Sequence, residues 1–286
     1  VSNPNYKLPK NVTTSYTIGK KQLSIEDLKA VNRKYNGTSE VALQGGTLTG
    51  VAGNDKVSID MPKMGTIENS IAGENKAVSY TKSALSGEDK DNYELLETVW
   101  PALTVTISKT DESNTVITTT QNELDKTYDG YEVVDVKSTS NNKTTPVVEY
   151  STTKPKNAGE YTVRVTYPAD DNYEKSSVTK DFTIKKMKTR VSAIDLSKIY
   201  GEKGYELMYS FDRLAREDRL TGIILTRQEG EDVGTYKIKV SQKEGSNPNY
   251  DITFKDGTYT INGLDVTLTD NKLSLANYRL IKEQLY

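Results

Sequence analysis

Tyrosines and carboxylates are the side chains with which this sequence could do chemistry. It holds 19 tyrosines and 40 acidic residues, against no histidine and no cysteine. Lacking imidazole and thiol, the chain by itself excludes Ser-His-Asp hydrolysis, His-ligated zinc, thiolate metal sites and disulfides. The acids gather at Glu88-Asp89 and Asp91, at Asp170-Asp171, and at Glu229, Glu231 and Asp232. Calcium takes about six to eight oxygens converging from one loop. None of these runs has the Asp-x-Asp-x-Asp-Gly spacing of such a loop, and each reads equally as a solvated turn. Glycoside hydrolysis needs two carboxyls facing each other across a cleft, and no pair is singled out by spacing. No residue is therefore assigned a catalytic, cofactor-binding or metal-binding role; the chain is read as no enzyme, with no cofactor.

Two further chemistries are open to these residue types. Trp100, the sole tryptophan, precedes Pro101 and is either a sugar-stacking platform or, the favoured reading, core or edge packing. A lysine can also be joined to an asparagine or aspartate by an internal isopeptide bond. First-strand lysines and repeated asparagines are present here, but no single trio stands out.

The elements that would position these side chains are repeated. Asn-Tyr occurs at Asn5-Tyr6, Asn92-Tyr93, Asn172-Tyr173 and Asn249-Tyr250, at intervals of 87, 80 and 77 residues. After each pair comes a short alternating strand ending in isoleucine: Tyr16-Thr17-Ile18, Val105-Thr106-Ile107, Phe182-Thr183-Ile184 and Tyr259-Thr260-Ile261. A second marker lies at Tyr35-Asn36-Gly37, Tyr128-Asp129-Gly130 and Tyr200-Gly201. A period near 80 is too long for a solenoid repeat, so each unit should be its own domain. The divisions are 1–21, the last hairpin of a preceding repeat; the full units 22–109, 110–186 and 187–262; and 263–286, a tail or the start of a further element. Chain start at Val1, without a leader, reads as a piece of something longer.

Each unit reads as strands. Glu160 to Tyr167 and Thr235 to Val240 alternate with period two, as one-side-buried strands do, and turn signals stand at Gly45-Gly46, Asp256-Gly257 and Asp270-Asn271. The single helix candidate is Phe211 to Leu220, with a solvated charged surface. Asn157-Ala158-Gly159-Glu160-Tyr161 and Asp232-Val233-Gly234-Thr235-Tyr236 resemble the tyrosine corner of immunoglobulin-like sandwiches, in which a tyrosine hydroxyl turns back onto backbone upstream. Val163 and Ile238 take the place of the second antibody cysteine. The first unit keeps the turn, Ala72-Gly73-Glu74-Asn75, but its next aromatic is Tyr80. Eleven tyrosines fall at repeated positions, which points to packing and not to a recognition site that one unit alone would need.

The first unit resembles a YDG domain through Tyr35-Asn36-Gly37-Thr38, Gly46-Thr47-Leu48-Thr49-Gly50-Val51, Ala72-Gly73-Glu74-Asn75-Lys76 and Asn92-Tyr93-Glu94-Leu95. The third resembles an MBG domain of the YG type through Ile199-Tyr200-Gly201, Val233-Gly234-Thr235-Tyr236, Asn249-Tyr250-Asp251-Ile252 and Gly257-Thr258-Tyr259-Thr260-Ile261. The second is similar to the same group of short bacterial Ig-like repeats. This resemblance implies large secreted or wall-attached bacterial proteins in which such repeats serve as stalks or adhesin segments, and it carries over no catalytic residues.

Composition agrees. The 34% hydrophobic content suits small sheets with thin cores, and the strand-forming tyrosines argue against disorder. A formal charge of −2 argues against nucleic-acid binding, and no apolar run is long enough for membrane insertion. The expected fold class is all-β: tandem immunoglobulin-like β-sandwich domains in an elongated array. The expected function is a non-catalytic extracellular stalk or spacer at the bacterial cell surface, secreted or attached, with neighbouring repeats of the same protein as partners. The alternative is an adhesin module binding host glycan or protein, around Trp100 or the 211–220 segment. The orphan N-terminal hairpin of one molecule is further expected to meet the C-terminal hairpin of the next. Intact mass spectrometry tests the isopeptide idea: a mass below the formula by one ammonia or water per bond establishes it, and a mass equal to the formula ends it.

Overall fold

The computed structural model describes residues 3–7, 11, 13–269 and 272–275. It is nearly all β, with 43% strand and 4% helix, and falls into two compact units. One comprises Val1–Ser113, Asn141–Thr144 and Pro168–Ser176; the other comprises Asn114–Ser140, Thr145–Tyr167 and Ser177–Tyr286. Within them lie three apolar cores, and each core has its own reason to form.

The first unit is built from short strands. Arg33–Lys34, Leu103–Ser108 and Gly73–Val78 make one sheet; Lys29–Ala30, Glu40–Gln44 and Met64–Thr66 make another. Val41, Leu43, Ile67, Val105 and Ile107 point inward between them, alternating with exposed or half-buried neighbours. The Gly45-Gly46 turn is obligatory, since both residues have positive φ and a Cβ on Gly45 would lie 2.3 Å from the Asp27 carbonyl oxygen. Trp100 is buried in this core, its ring tilted against Tyr80 at 5.9 Å.

The second unit holds two cores. One sheet runs Lys126–Thr127, Ser176–Lys185, Gly159–Tyr167, Val147–Tyr150 in spatial order, and Leu124, Val133, Val163, Phe182 and Ile184 pack on it. A four-residue helix, Gln121–Leu124, opens this part with a capping box from Thr120 and Glu123. The other core lies between two sheets. The first is Leu196–Ile199, Gly257–Asn262, Gly234–Gln242, Ile223–Arg227, and the second is Tyr209–Phe211, Met187–Ala193, Tyr250–Lys255. Val191, Ile238, Val240, Tyr259 and Ile261 fill the space between. These strands alternate as the sequence expects, and a sandwich is the arrangement that hides both apolar faces.

Both tyrosine corners form. The Tyr161 hydroxyl donates to the Asn157 carbonyl oxygen at 2.9 Å, and Tyr236 donates to that of Asp232 at 2.8 Å. Val163 and Ile238, two residues on, are fully buried. In the first unit Tyr80 instead donates to the Pro101 carbonyl at 2.5 Å.

Two expectations need correction. The segment from Phe211 to Leu220 is not a helix: Phe211 ends a strand, and Arg216 sits at φ 43°, which interrupts right-handed winding. Residues 13–20 form no strand, and Tyr16 and Ile18 stand more than four-fifths exposed because no sheet face receives them among the described residues. The strands Ser176–Lys185 and Met187–Ala193 are separated by Lys186 alone. Met187–Ala193 is a strand, and Met187 and Thr189 turn inward. The tail hairpin does form, Val266–Thr269 pairing antiparallel with Lys272–Leu275; its turn residues Asp270-Asn271 lie outside the described residues, as do 276–286.

If the corners carry the stability their geometry suggests, Tyr161→Phe and Tyr236→Phe each lower the unfolding free energy by about 1 kcal/mol. Ile238→Ala lowers it by about 2–5 kcal/mol. Tyr205→Phe, at an exposed tyrosine, leaves it within about 0.5 kcal/mol. Denaturant unfolding measures all four.

Candidate functional site

The residues singled out for chemistry are placed in two ways. Most carboxylates are engaged one by one in local structure. Asp89 accepts from the Lys56 amide at 2.8 Å, and Glu88 pairs with the Lys56 ammonium at 3.0 Å. Asp170 accepts the amides of Asn172 and Tyr173 at 2.8 and 2.7 Å. Burial alone would push its pKa up, but these amides and that of Lys143 outweigh it and hold the carboxyl below its ordinary value. Glu231 bridges Lys198 and Arg227. Among the described residues no three acids converge as a cation site. The lysine–asparagine trio is likewise not brought together: Lys198 meets the Glu231 carboxylate and the Glu202 carbonyl, while Asn172 and Asn249 have other partners.

Those partners reveal the site. Every repeat closes its last sheet by the same bond, made from the amide of the marker tyrosine to the carbonyl just after the terminal isoleucine. Tyr35 donates to Ser108, Tyr128 to Lys185 and Tyr200 to Asn262, each at 2.8 Å. This puts the marker tyrosine at one end of its repeat, beside the Ala72-Gly73, Ala158-Gly159 or Val233-Gly234 turn. The chain then continues, and the third residue after the isoleucine pairs in parallel with the tyrosine of the next Asn-Tyr. Lys21 lies opposite Tyr93, Thr110 opposite Tyr173 and Met187 opposite Tyr250.

The Asn-Tyr pair so delivered docks on the preceding repeat. In the first unit, the Ala72 amide donates to the Asn172 side-chain oxygen at 3.0 Å, and Tyr35 meets Tyr173 edge-on at 5.5 Å. In the second unit, the Ala158 amide donates to the Asn249 side-chain oxygen at 2.9 Å, and Tyr128 meets Tyr250 edge-on at 5.7 Å. The Asn249 amide also donates to the Asn157 side chain at 3.1 Å. The two joints are thus made of the same atoms, an asparagine amide on a backbone N–H and an edge-to-face tyrosine pair.

The second joint carries a latch. The Ala215 amide donates to the Tyr250 hydroxyl at 2.9 Å; Tyr250 and Tyr128 both donate to Asp218 Oδ2 at 2.8 Å. Leu214 and Ala215 enter the core around Leu124 and Val163, and the Arg216 guanidinium lies 4.8 Å over the Tyr131 ring. Burial, with the Asp218 carboxylate next, pushes the Tyr250 hydroxyl up to about 12 and raises Tyr128 in the same direction. Sequence reading placed the 211–220 charges on a solvated surface and missed Asp218. The only signal available was Ala215-x-x-Asp218, which matches Ala52-x-x-Asp55 in the first repeat. There too the alanine amide donates to a tyrosine hydroxyl, Tyr93, at 2.9 Å, and the hydroxyl donates to Asp55 at 2.6 Å.

The raised Tyr250 pKa fixes a sign. A neutral hydroxyl is favoured in the folded state, so its contribution is complete below pH about 10, the ordinary tyrosine value, and is lost as pH rises toward about 12. Tyr250→Phe leaves the buried Ala215 amide unpaired and lowers the unfolding free energy by about 1–3 kcal/mol. It also removes the highest-pH component from a tyrosinate absorbance titration, and Asp218→Asn moves that component to lower pH.

Comparison with known proteins follows the same division. Residues 19–100 match the family model of the YDG domain, and residues 190–260 match that of the MBG domain (YGX type). No curated protein matches. Among solved structures, Drosophila N-cadherin EC1-4 aligns at 8% identity over 87% of this chain and 76% of its own, with TM-score 0.28. The three N-terminal domains of the bacteriophage RB49 highly immunogenic outer capsid protein align at 12% identity over 84% and 99%, with TM-score 0.21. At these scores the reading of the fold rests on the strand pairings above. With its marker turns, corner strand and Asn-Tyr strands in register, the chain carries a YDG domain and an MBG domain of the YGX type in tandem, separated by residues 101–189.

Proposed function

We propose that this segment is a non-catalytic extracellular spacer of a bacterial surface protein, and that its working parts are the joints. The observation that carries this reading is the repetition of one joint with the same atoms in both units. A flexible tether would need no side-chain contacts between repeats. Here a parallel backbone pairing, a hydrogen bond from a backbone N–H to an asparagine and an aromatic contact all have to break before one repeat bends on the next. The aromatic contact adds about 0.5–1.5 kcal/mol beyond area burial, and each hydrogen bond about as much.

The rival, an adhesin module, had two candidate sites. Trp100 is only 8% exposed and offers no ring face to a sugar. The 211–220 segment is occupied by its own joint. With both engaged internally, the spacer reading has the stronger support, and the chemistry of the segment is holding and spacing.

Because the chain has no cysteine, spin labels can be placed at will. Labels at Glu149→Cys and Ile224→Cys, both on exposed positions of the second unit, should give a narrow distance distribution by pulsed EPR. Asp218→Ala and Asn249→Leu should broaden it, and added glycans should leave it unchanged. A broad distribution in the parent chain, or saturable binding on a glycan array, overturns the spacer reading.

A further inference from the structure

A cation stands two residues before the marker tyrosine in all three repeats, as Arg33, Lys126 and Lys198. Each pairs in parallel with the terminal isoleucine of its own repeat, Ile107, Ile184 or Ile261. Each also reaches past the tyrosine to an equivalent atom, the carbonyl oxygen of the residue after the marker glycine. Arg33 Nη2 donates to Thr38 at 2.6 Å, Lys126 Nζ to Tyr131 at 2.8 Å and Lys198 Nζ to Glu202 at 3.1 Å. The glycine between them is left-handed each time, with φ 81° at Gly37, 80° at Gly130 and 85° at Gly201. The marker turn is therefore one clasped loop built three times.

A cation is a demanding choice for this place. Lysine is rarely buried without a partner, yet Lys198 is 7% exposed and the Lys126 side chain 19%. An apolar residue there would need no counter-charge. Lys126 directs all its ammonium protons at the turn: to Asp129 Oδ1 at 2.7 Å and to the carbonyls of Tyr131 and Glu132 at 2.8 and 3.3 Å. Arg33 stands beside a neutral Asn36 and is satisfied by carbonyls alone, those of Lys34, Thr38 and Glu40, as the five-donor guanidinium allows.

The turn held in this way is the surface on which the second joint packs. Tyr128 meets Tyr250 edge-on, and the Arg216 guanidinium covers the Tyr131 ring. Between them, a Cβ built on Gly130 would lie 3.4 Å from the Arg216 Cβ and 3.9 Å from the Ala215 Cβ. Three residues inside the clasp thus face the following repeat. We infer that Lys126 is a positioning residue of this joint, and Arg33 of the first: the cation fixes the marker turn in the shape that receives the next repeat. Cation and turn belong to the same repeat, so the receiver is shaped before the joint closes, and docking has less backbone left to order.

The inference rests on reading the Asn-Tyr contacts as joints, and the experiment keeps the two apart. In the doubly labelled Glu149→Cys/Ile224→Cys chain, Lys126→Met should broaden the pulsed-EPR distance distribution. It should also move the tyrosinate component of highest pH downward, because Tyr128 and Tyr250 no longer share Asp218 in a fixed geometry. Lys126→Arg should restore both readings, as Arg33 serves in the first repeat. Asp129→Asn, at an exposed carboxylate, weakens the clasp without touching the core and should also broaden the distribution. Lys126→Arg/Asp129→Asn rebuilds the Arg33–Asn36 arrangement and should narrow it again. Lys198→Met removes the equivalent clasp from a turn that takes no part in this joint, and should change neither reading. If Lys126→Met fails to fold, Asp129→Asn and its rescue decide alone. Unchanged readings in Lys126→Met and Asp129→Asn, failure of Lys126→Arg to restore them, or equal broadening by Lys198→Met overturns the inference and leaves the joints standing. A broad distribution in the labelled parent overturns the joints and the inference together.

Discussion

One backbone N–H governs how these repeats are joined. The turn at Ala72-Gly73 or Ala158-Gly159 leaves the residue before the glycine with an amide that is bonded by no strand of its own repeat but by a side chain of the next. A peptide amide that is about to be covered requires an acceptor. Ala72 and Ala158 find theirs in the side chain of an asparagine from the following repeat. Parallel pairing and edge-on tyrosines accompany that bond in both joints, and the Asp218 latch in the second.

Tyrosine serves two separate purposes here through one hydroxyl. At Tyr161 and Tyr236 it closes a turn onto backbone four residues upstream and stays within the repeat. At Tyr128 and Tyr250 it reaches a carboxylate and binds two repeats together. A phenol suits both because its ring is large enough to be buried while its oxygen still finds a polar partner. Phenylalanine would fill the same volume and lose the bond in either place.

Much of this was legible in the residues, and the limit lies where local pattern ends. The corners were readable because Asn-x-Gly-x-Tyr and Asp-x-Gly-x-Tyr carry their own geometry: the acceptor is four residues away and the glycine marks the turn. The Asn-Tyr pairs were readable as repeats, but their partners sit about 90 to 100 residues earlier, as with Asn172 to Ala72, and no spacing rule connects them. The 211–220 segment misled because Phe211 and Leu214 fit one face of a helix, while the left-handed backbone at Arg216 gives no warning in an ordinary charged residue. Asp218 was hidden for the same reason. A carboxylate among six charges looks solvated until the two hydroxyls that claim it are in view.

The register of the strand that crosses each joint has a consequence for how such chains can be rebuilt over time. The position opposite the Asn-Tyr tyrosine is the third residue after the terminal isoleucine in every case, at Lys21, Thr110 and Met187. Side chains on a strand alternate, so adding or removing one residue there would turn the whole following strand inside out. Surface loops have no such counting rule and tolerate length changes freely. Gene duplication and exchange can therefore lengthen, shorten or reorder an array only when the cut preserves that three-residue phase, which makes the crossing strand the natural seam for recombination.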